Sequence, residues 1–161
     1  TSVDASSIYT QGGMANHTGS MNEKNINEQL CSLGFAPKKR RYESSWSTTG
    51  LSAVDCDLPS LGICAEYKYQ GSTGTTDLKG VTELYNAGKK IECDDFVLVC
   101  SGTHWETARG RNMYETFENA AAEFNSCPEI FCIAAKRLHV MMKDEFIEFV
   151  EQRKKEKLQN G

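Results

Sequence analysis

The segment "DDFVLVCS", Asp94 to Ser101, sets the tightest constraint on the fold. From Phe96 to Cys100 no polar residue falls on either parity. Strand side chains alternate between the two faces of a sheet, so this strand is covered on both. Helices have to supply that cover, and the chain offers several. "NEKNINEQLCSLGF" places Ile26, Leu30 and Leu33 at helical spacing and stops at Gly34. "GSTGTTDLKGVTELYNAGKK" opens as a Gly-rich loop and predicts a helix from about Thr76. Thr75 or Thr76 would cap it, and Val81, Leu84 and Tyr85 form its apolar stripe. "RNMYETFENAAAEFN" aligns Met113, Phe117, Ala120, Ala121 and Phe124. "MKDEFIEFVEQRKKEKLQ" closes the chain with Phe146, Ile147 and Val150 on one side.

"EIFCIAA" reads as a second buried strand, and "RYESSWSTTGLSAVDCDLPSLGICAEYKYQ" as two or three strands with tight turns at "TTG" and "LPSLG". The expected order is helix, two or three antiparallel strands, helix, strand, helix, strand, helix. An antiparallel start followed by crossover helices gives an α/β fold, with a mixed central sheet flanked by helices on both faces. Residues 1–21 are rich in Ser, Thr, Gly and Asn and lack an apolar period. They are expected to be a disordered tail or a cloning remnant, leaving 22–161 as one domain.

At 161 residues, 39% hydrophobic and 25% charged, the chain has the make-up of one globular domain with a real core. No apolar run approaches the roughly 20 residues of a membrane span, so no membrane partner is expected and the location is expected to be intracellular, cytoplasmic or nuclear. The seven cysteines include no CxxC pair, which argues against a structural zinc site and for free thiols in apolar surroundings. A net charge of −4 argues against nonspecific coating of nucleic acid, yet cations cluster locally. Arg40 and Arg41 belong to "KKRR", and Arg109 and Arg111 to "RGR".

The chemistry concentrates in "DLPSLGICAEYKYQ", Asp57 to Gln70. Alternation puts Glu66 and Lys68 on one strand face, with Gln70 continuing it, while Ala65, Tyr67 and Tyr69 point the other way. A buried strand has little reason to carry such charges unless they are paired. On the preceding strand Asp55 and Asp57 share a face, and an antiparallel return can lay one of them beside Glu66. Asp57 is preferred because its spacing fits a tighter hairpin, with Asp55 as competitor. A carboxylate pair with the Tyr67 backbone carbonyl between makes an all-oxygen donor set, suited to Mg²⁺ or Mn²⁺. Lys68 would then stand where it can orient water or stabilise charge on phosphate. Glu23, seven residues before Leu30, projects from the apolar side of the first helix toward the sheet.

This segment resembles the active-site region of the PD-(D/E)XK nuclease superfamily, which has a restriction-endonuclease-like αβββαβ core. The match is to a branch whose ExK is followed by Gln and a small-residue stretch. The resemblance implies that Asp57, Glu66, Lys68 and Gln70 are catalytic, and that Glu23 adds to the metal site. It also implies a Mg²⁺-dependent DNA endonuclease acting as a homodimer or as part of a larger nuclease. No Pro precedes the acid, since "VDCD" stands in its place, which keeps Asp55 in contention. DNA contacts are expected from Lys79, Arg40, Arg41, Arg109 and Arg111; Ser72 and Thr73 read either as backbone contacts or as a flexible turn with a helix cap, and His104 as a residue of a plain surface loop in preference to a DNA-facing one. Trp46 and Trp105 are expected to be packing residues.

Overall fold

β4 (Asp95–Ser101) is buried along its whole length, as its unbroken apolar run requires. The structure, a computed structural model, describes residues 11–71 and 77–160. Ser72, Thr73, Thr75 and Thr76, named above as loop contacts and caps, lie outside the described residues, as do residues 1–10. β4 runs parallel to β3 (Ile63–Tyr69) on one side and to β5 (Arg137–Met142) on the other. β2 (Leu51–Leu58) pairs antiparallel with β3, and β1 (Lys38–Glu43) antiparallel with β2. The protein is therefore α/β, with a five-stranded mixed open sheet in the order β1-β2-β3-β4-β5.

Alternation along β4 divides the interior in two. Phe96, Leu98 and Cys100 enter a core with Leu84 and Ala87 of α2 (Asp77–Lys90) and Phe117 and Ala121 of α3 (Ala108–Ser126). Val97 and Val99 enter another core, with Ile26 and Leu30 of α1 (Gln11–Ser32) and Phe146 and Val150 of α5 (Lys143–Asn160). Each face thus receives two helices, and the residues at helical spacing in the sequence supply the contacts. Thr107 caps α3, its hydroxyl accepting from Gly110 N at 3.0 Å.

Three expectations are corrected. Residues 11–21, assigned to a tail, form the first half of α1. Burial of Ile26 and Leu30 fixes the far end of that helix, and lengthening an existing helix is far easier than starting one. "EIFCIAA" is not a strand. Pro128 opens a single helical turn, α4 (Pro128–Phe131), which Cys132 ends at φ 56. Pro is preorganised for a first helical position, and the apolar run after it packs as loop against the α2/α3 core. The fifth strand comes later, at "RLHVMM". Finally, "THWE" is a 3-10 turn (Thr103–Glu106) that buries His104 to 1% exposure, so His104 is neither a surface-loop residue nor a DNA-facing one.

Neither ring nitrogen of His104 has a hydrogen-bond partner among the described residues. An unsatisfied buried polar group is costly, whereas an apolar side chain of similar size is not. His104→Leu is expected to stabilise the fold by about 1 kcal/mol, read as a rise in Tm. A lower Tm would show that the ring's polar atoms contribute to the native state.

The start of β4 is pinned by charge. Asp95 Oδ1 meets His139 Nε2 of β5 at 2.7 Å, and Oδ2 accepts from Arg153 Nη1 of α5 at 2.7 Å. Among the described residues no helix is long and apolar enough to cross a membrane.

Candidate metal centre

The hairpin that carries the charges is set by its turn. Pro59 begins a 3-10 turn (Pro59–Leu61), and Gly62 ends it in the left-handed region at φ 66, where a side chain would be strained. Gly62 O also accepts from Asp94 N and Asp95 N, tying the turn to the root of β4. With the turn confined to these residues, Leu58 faces Ile63, Asp57 faces Cys64 and Cys56 faces Ala65. The pairing goes no further, and β2 then diverges from β3.

The divergence coincides with a β-bulge. Between Lys38 and Arg40 of β1 the partners on β2 step from Asp57 to Val54, so two steps oppose three. One extra residue in β2 reverses its facing. Cys56 and Leu58 accordingly point to the α1/α5 core, while Val54 points to the α2/α3 core. Asp55 occupies the fork. Its Oδ2 accepts from Tyr67 N at 2.8 Å, replacing the main-chain acceptor that the diverging strand no longer offers. N–H and C=O of one strand residue leave on the same side, so the Tyr67 carbonyl is also directed into the fork.

Glu66 lies across from Asp55, and their carboxyls share a hydrogen bond. Burial pushes the Glu66 carboxyl up to about 10, with the Asp55 hydrogen bond, the Asp55 charge and the Glu83 charge adding to the rise and Lys68 opposing it. Two carboxyls this close repel when both are ionised, and the proton kept on Glu66 relieves that repulsion. Lys68, 10% exposed at its side chain, pairs with Glu83 of α2 at 2.9 Å. Of these groups Glu66 and Glu83 border a cleft of about 280 Å³ between the β1–β2 corner and α2, lined also by Tyr42, Ser52, Lys79 and Asn86.

The acid beside Glu66 is therefore Asp55 and not Asp57. Asp57 stands opposite Cys64 and accepts from its thiol at 3.4 Å. The signal was available: Pro59 and Gly62 bracket the turn, and a turn of that length puts position 55 across from 66. Glu23 does not join the group either. α1 covers the face bearing Ile63, Ala65 and Tyr67, opposite to that of Glu66, and Glu23 pairs there with Lys39 at 3.8 Å. The Tyr67 hydroxyl donates to Asn27 Oδ1 at 2.9 Å on that same face. Among the described residues no cluster of three or more His, Cys, Asp or Glu side chains able to hold a metal forms. Gln70 is buried just past β3, its N–H bonded to Ser101 O and its carbonyl to His104 N.

Of the expected DNA contacts, exposed Lys79 lines the cleft. Arg40 instead spans Glu92 O at 3.1 Å and Cys64 Sγ at 3.7 Å, clamping β1 to the sheet. Arg41 is exposed on the side alternate to Arg40, away from the cleft. Arg109 and Arg111 are exposed on the first turn of α3, where Arg111 donates to Glu106 O at 3.0 Å; neither lines the cleft.

Two residues at the cleft, Glu83 and Trp46, stand outside the expected site. Glu83 shares a helical face with buried Gly80 and Ala87, and an acid between two small buried residues was the readable sign. Trp46 is 58% exposed at the cleft, whereas Trp105 is packed at 4% and donates to Ser101 O. A scan against protein-family models gives no match, and searches of curated proteins and of solved structures give none.

Proposed function

We propose that this chain is a Mg²⁺-dependent endonuclease of the restriction-endonuclease-like fold, hydrolysing phosphodiester bonds in DNA. The observation that carries this reading is the Asp55–Glu66 carboxyl pair held at the fork between β2 and β3, with Lys68 on the Glu66 face. The element order α1-β1-β2-β3-α2-β4 agrees with the αβββαβ core of that fold. The donor set is all oxygen, two carboxylates and the Tyr67 carbonyl, which suits Mg²⁺ or Mn²⁺ and not a soft metal.

Asp55 and Glu66 would hold the ion, Glu66 giving up its shared proton to do so. When bound, Mg²⁺ supplies charge neutralisation at the phosphate and a more acidic water. Lys68 presents its ammonium to the attacking water or to a phosphate oxygen, and Glu83 keeps it oriented from α2. Tyr67 N fixes the Asp55 carboxylate, so the pair is preorganised by the backbone itself. A second copy, or a larger nuclease, would provide the cut in the opposite strand.

The test is cleavage of duplex, branched and single-stranded DNA and of RNA with Mg²⁺. Asp55→Asn should lower the rate by on the order of a hundredfold or more, while Asp57→Asn should stay within a few fold. The reverse ranking would return the role to Asp57. Absence of Mg²⁺-dependent cleavage on every substrate would leave a nucleic-acid-binding module and sink the nuclease reading.

A further inference from the structure

Trp46 is an exposed aromatic with a rigid foundation. Its inner face rests on Tyr85 of α2, ring centroids 5.6 Å apart, and Tyr85 in turn packs on Phe124 at 5.2 Å. The corner that carries it is held by its own hydrogen bonds: Trp46 N to Ser44 Oγ, Ser44 Oγ to Asn86 Oδ1 and Ser44 N to Gly50 O. A single exposed apolar residue on a surface is ordinary. This one differs in being buttressed through to the core and in bordering the cleft that contains Glu66. Cations flank it along α2, with Lys79 at the cleft and exposed Lys89 and Lys90 in the last turn. From Lys79 to Lys90 the helix advances about 16 Å, room for a few phosphates of an extended strand.

We infer that Trp46 is a stacking platform for one unpaired nucleobase beside the scissile phosphate, so that this site takes single-stranded or locally unpaired nucleic acid in preference to intact duplex. The inference rests on the nuclease reading for what the neighbouring carboxyls do. In a duplex the base faces are occupied by their neighbours, so only a splayed or single strand can offer one to an aromatic side chain. Base recognition through hydrogen bonds is weak here because the Asn86 amide is already engaged by Ser44 and by the Tyr42 hydroxyl. Stacking without edge contacts gives sequence tolerance.

The experiment measures binding of labelled oligonucleotides to the full chain with Ca²⁺ replacing Mg²⁺: single-stranded DNA, single-stranded RNA and fully paired DNA. Trp46→Ala should weaken single-strand binding roughly 5- to 150-fold, Trp46→Phe should keep most of it, and neither should change duplex binding. The DNA and RNA arms identify the sugar by which binds more tightly. Equal single-strand affinity of wild type and Trp46→Ala would overturn the inference. So would a loss shared equally by the duplex, or a change of oligomeric state in Trp46→Ala that marks a subunit contact. A chain that binds single strands through Trp46 yet cuts nothing in Mg²⁺ would keep this inference and remove the nuclease reading. One that in Mg²⁺ cuts single strands equally well as wild type and as Trp46→Ala would do the opposite.

Discussion

Lys68→Ala is expected to reduce Mg²⁺-dependent cleavage about a thousandfold, within the range for loss of a positioned proton-transfer group. Glu66→Gln should remove activity as completely and, in metal-free buffer, make the protein more stable. The sign follows from the carboxyl. In the unfolded chain Glu66 titrates at about 4.3; in the fold, burial and Asp55 push it up to about 10. Between those values folding has to protonate it, so stability contributed by the neutral form is full below about pH 4 and declines as pH rises toward 10. Near pH 7 the penalty is roughly 2–4 kcal/mol. Glutamine carries no such charge and can still donate to Asp55. Denaturant melts in EDTA should show the variant well ahead at pH 8 and nearly level with wild type at about pH 4. Equal stability at both would mean that Glu66 is not held neutral. Mg²⁺ should raise the Tm of the wild type and leave that of Glu66→Gln unchanged.

Asp95→Ala is expected to cost about 3–5 kcal/mol, the range for breaking one partner out of a buried charge cluster. The aspartate side chain is 7% exposed and receives both His139 and Arg153, so its removal takes the shared carboxylate from both and leaves Arg153 only Glu156 at 3.5 Å. Burial alone would raise the Asp95 carboxyl. Hydrogen bonds from His139 and Arg153 together with their charge outweigh it, and the net shift is downward. A depressed carboxyl stabilises the fold above its unfolded value of about 3.9, and that contribution disappears as pH falls through the folded value. Acid unfolding below about pH 4 should therefore be steeper in wild type than in Asp95→Asn. Parallel acid limbs in the two proteins would rule out Asp95 as the responsible group.

What could be read from the sequence was whatever depends on local period. The continuous run in β4 announced two covered faces, and the stripes at Ile26, Leu84, Phe117 and Phe146 named the helices that cover them. What could not be read that way depended on one residue more or fewer. Alternation carried Glu66 and Lys68 to the same side correctly, but Asp55 and Asp57 are exchanged by the turn length and by the bulge. Helical phase put Glu23 on the apolar side of the first helix, yet phase says nothing about which face of the sheet a helix covers. The apolar letters of "EIFCIAA" carry no parity of their own, so Pro128 decided their conformation.

β1 is an edge strand without a partner on its outer side among the described residues, and its sequence is "KKRRYE". An open edge is a template for another chain, and Lys on such an edge is a common safeguard against it. Two copies joined along β1 would set these cations against each other, so this seam resists growth into fibrils. The same charges bias any assembly of the chain toward surfaces other than this edge.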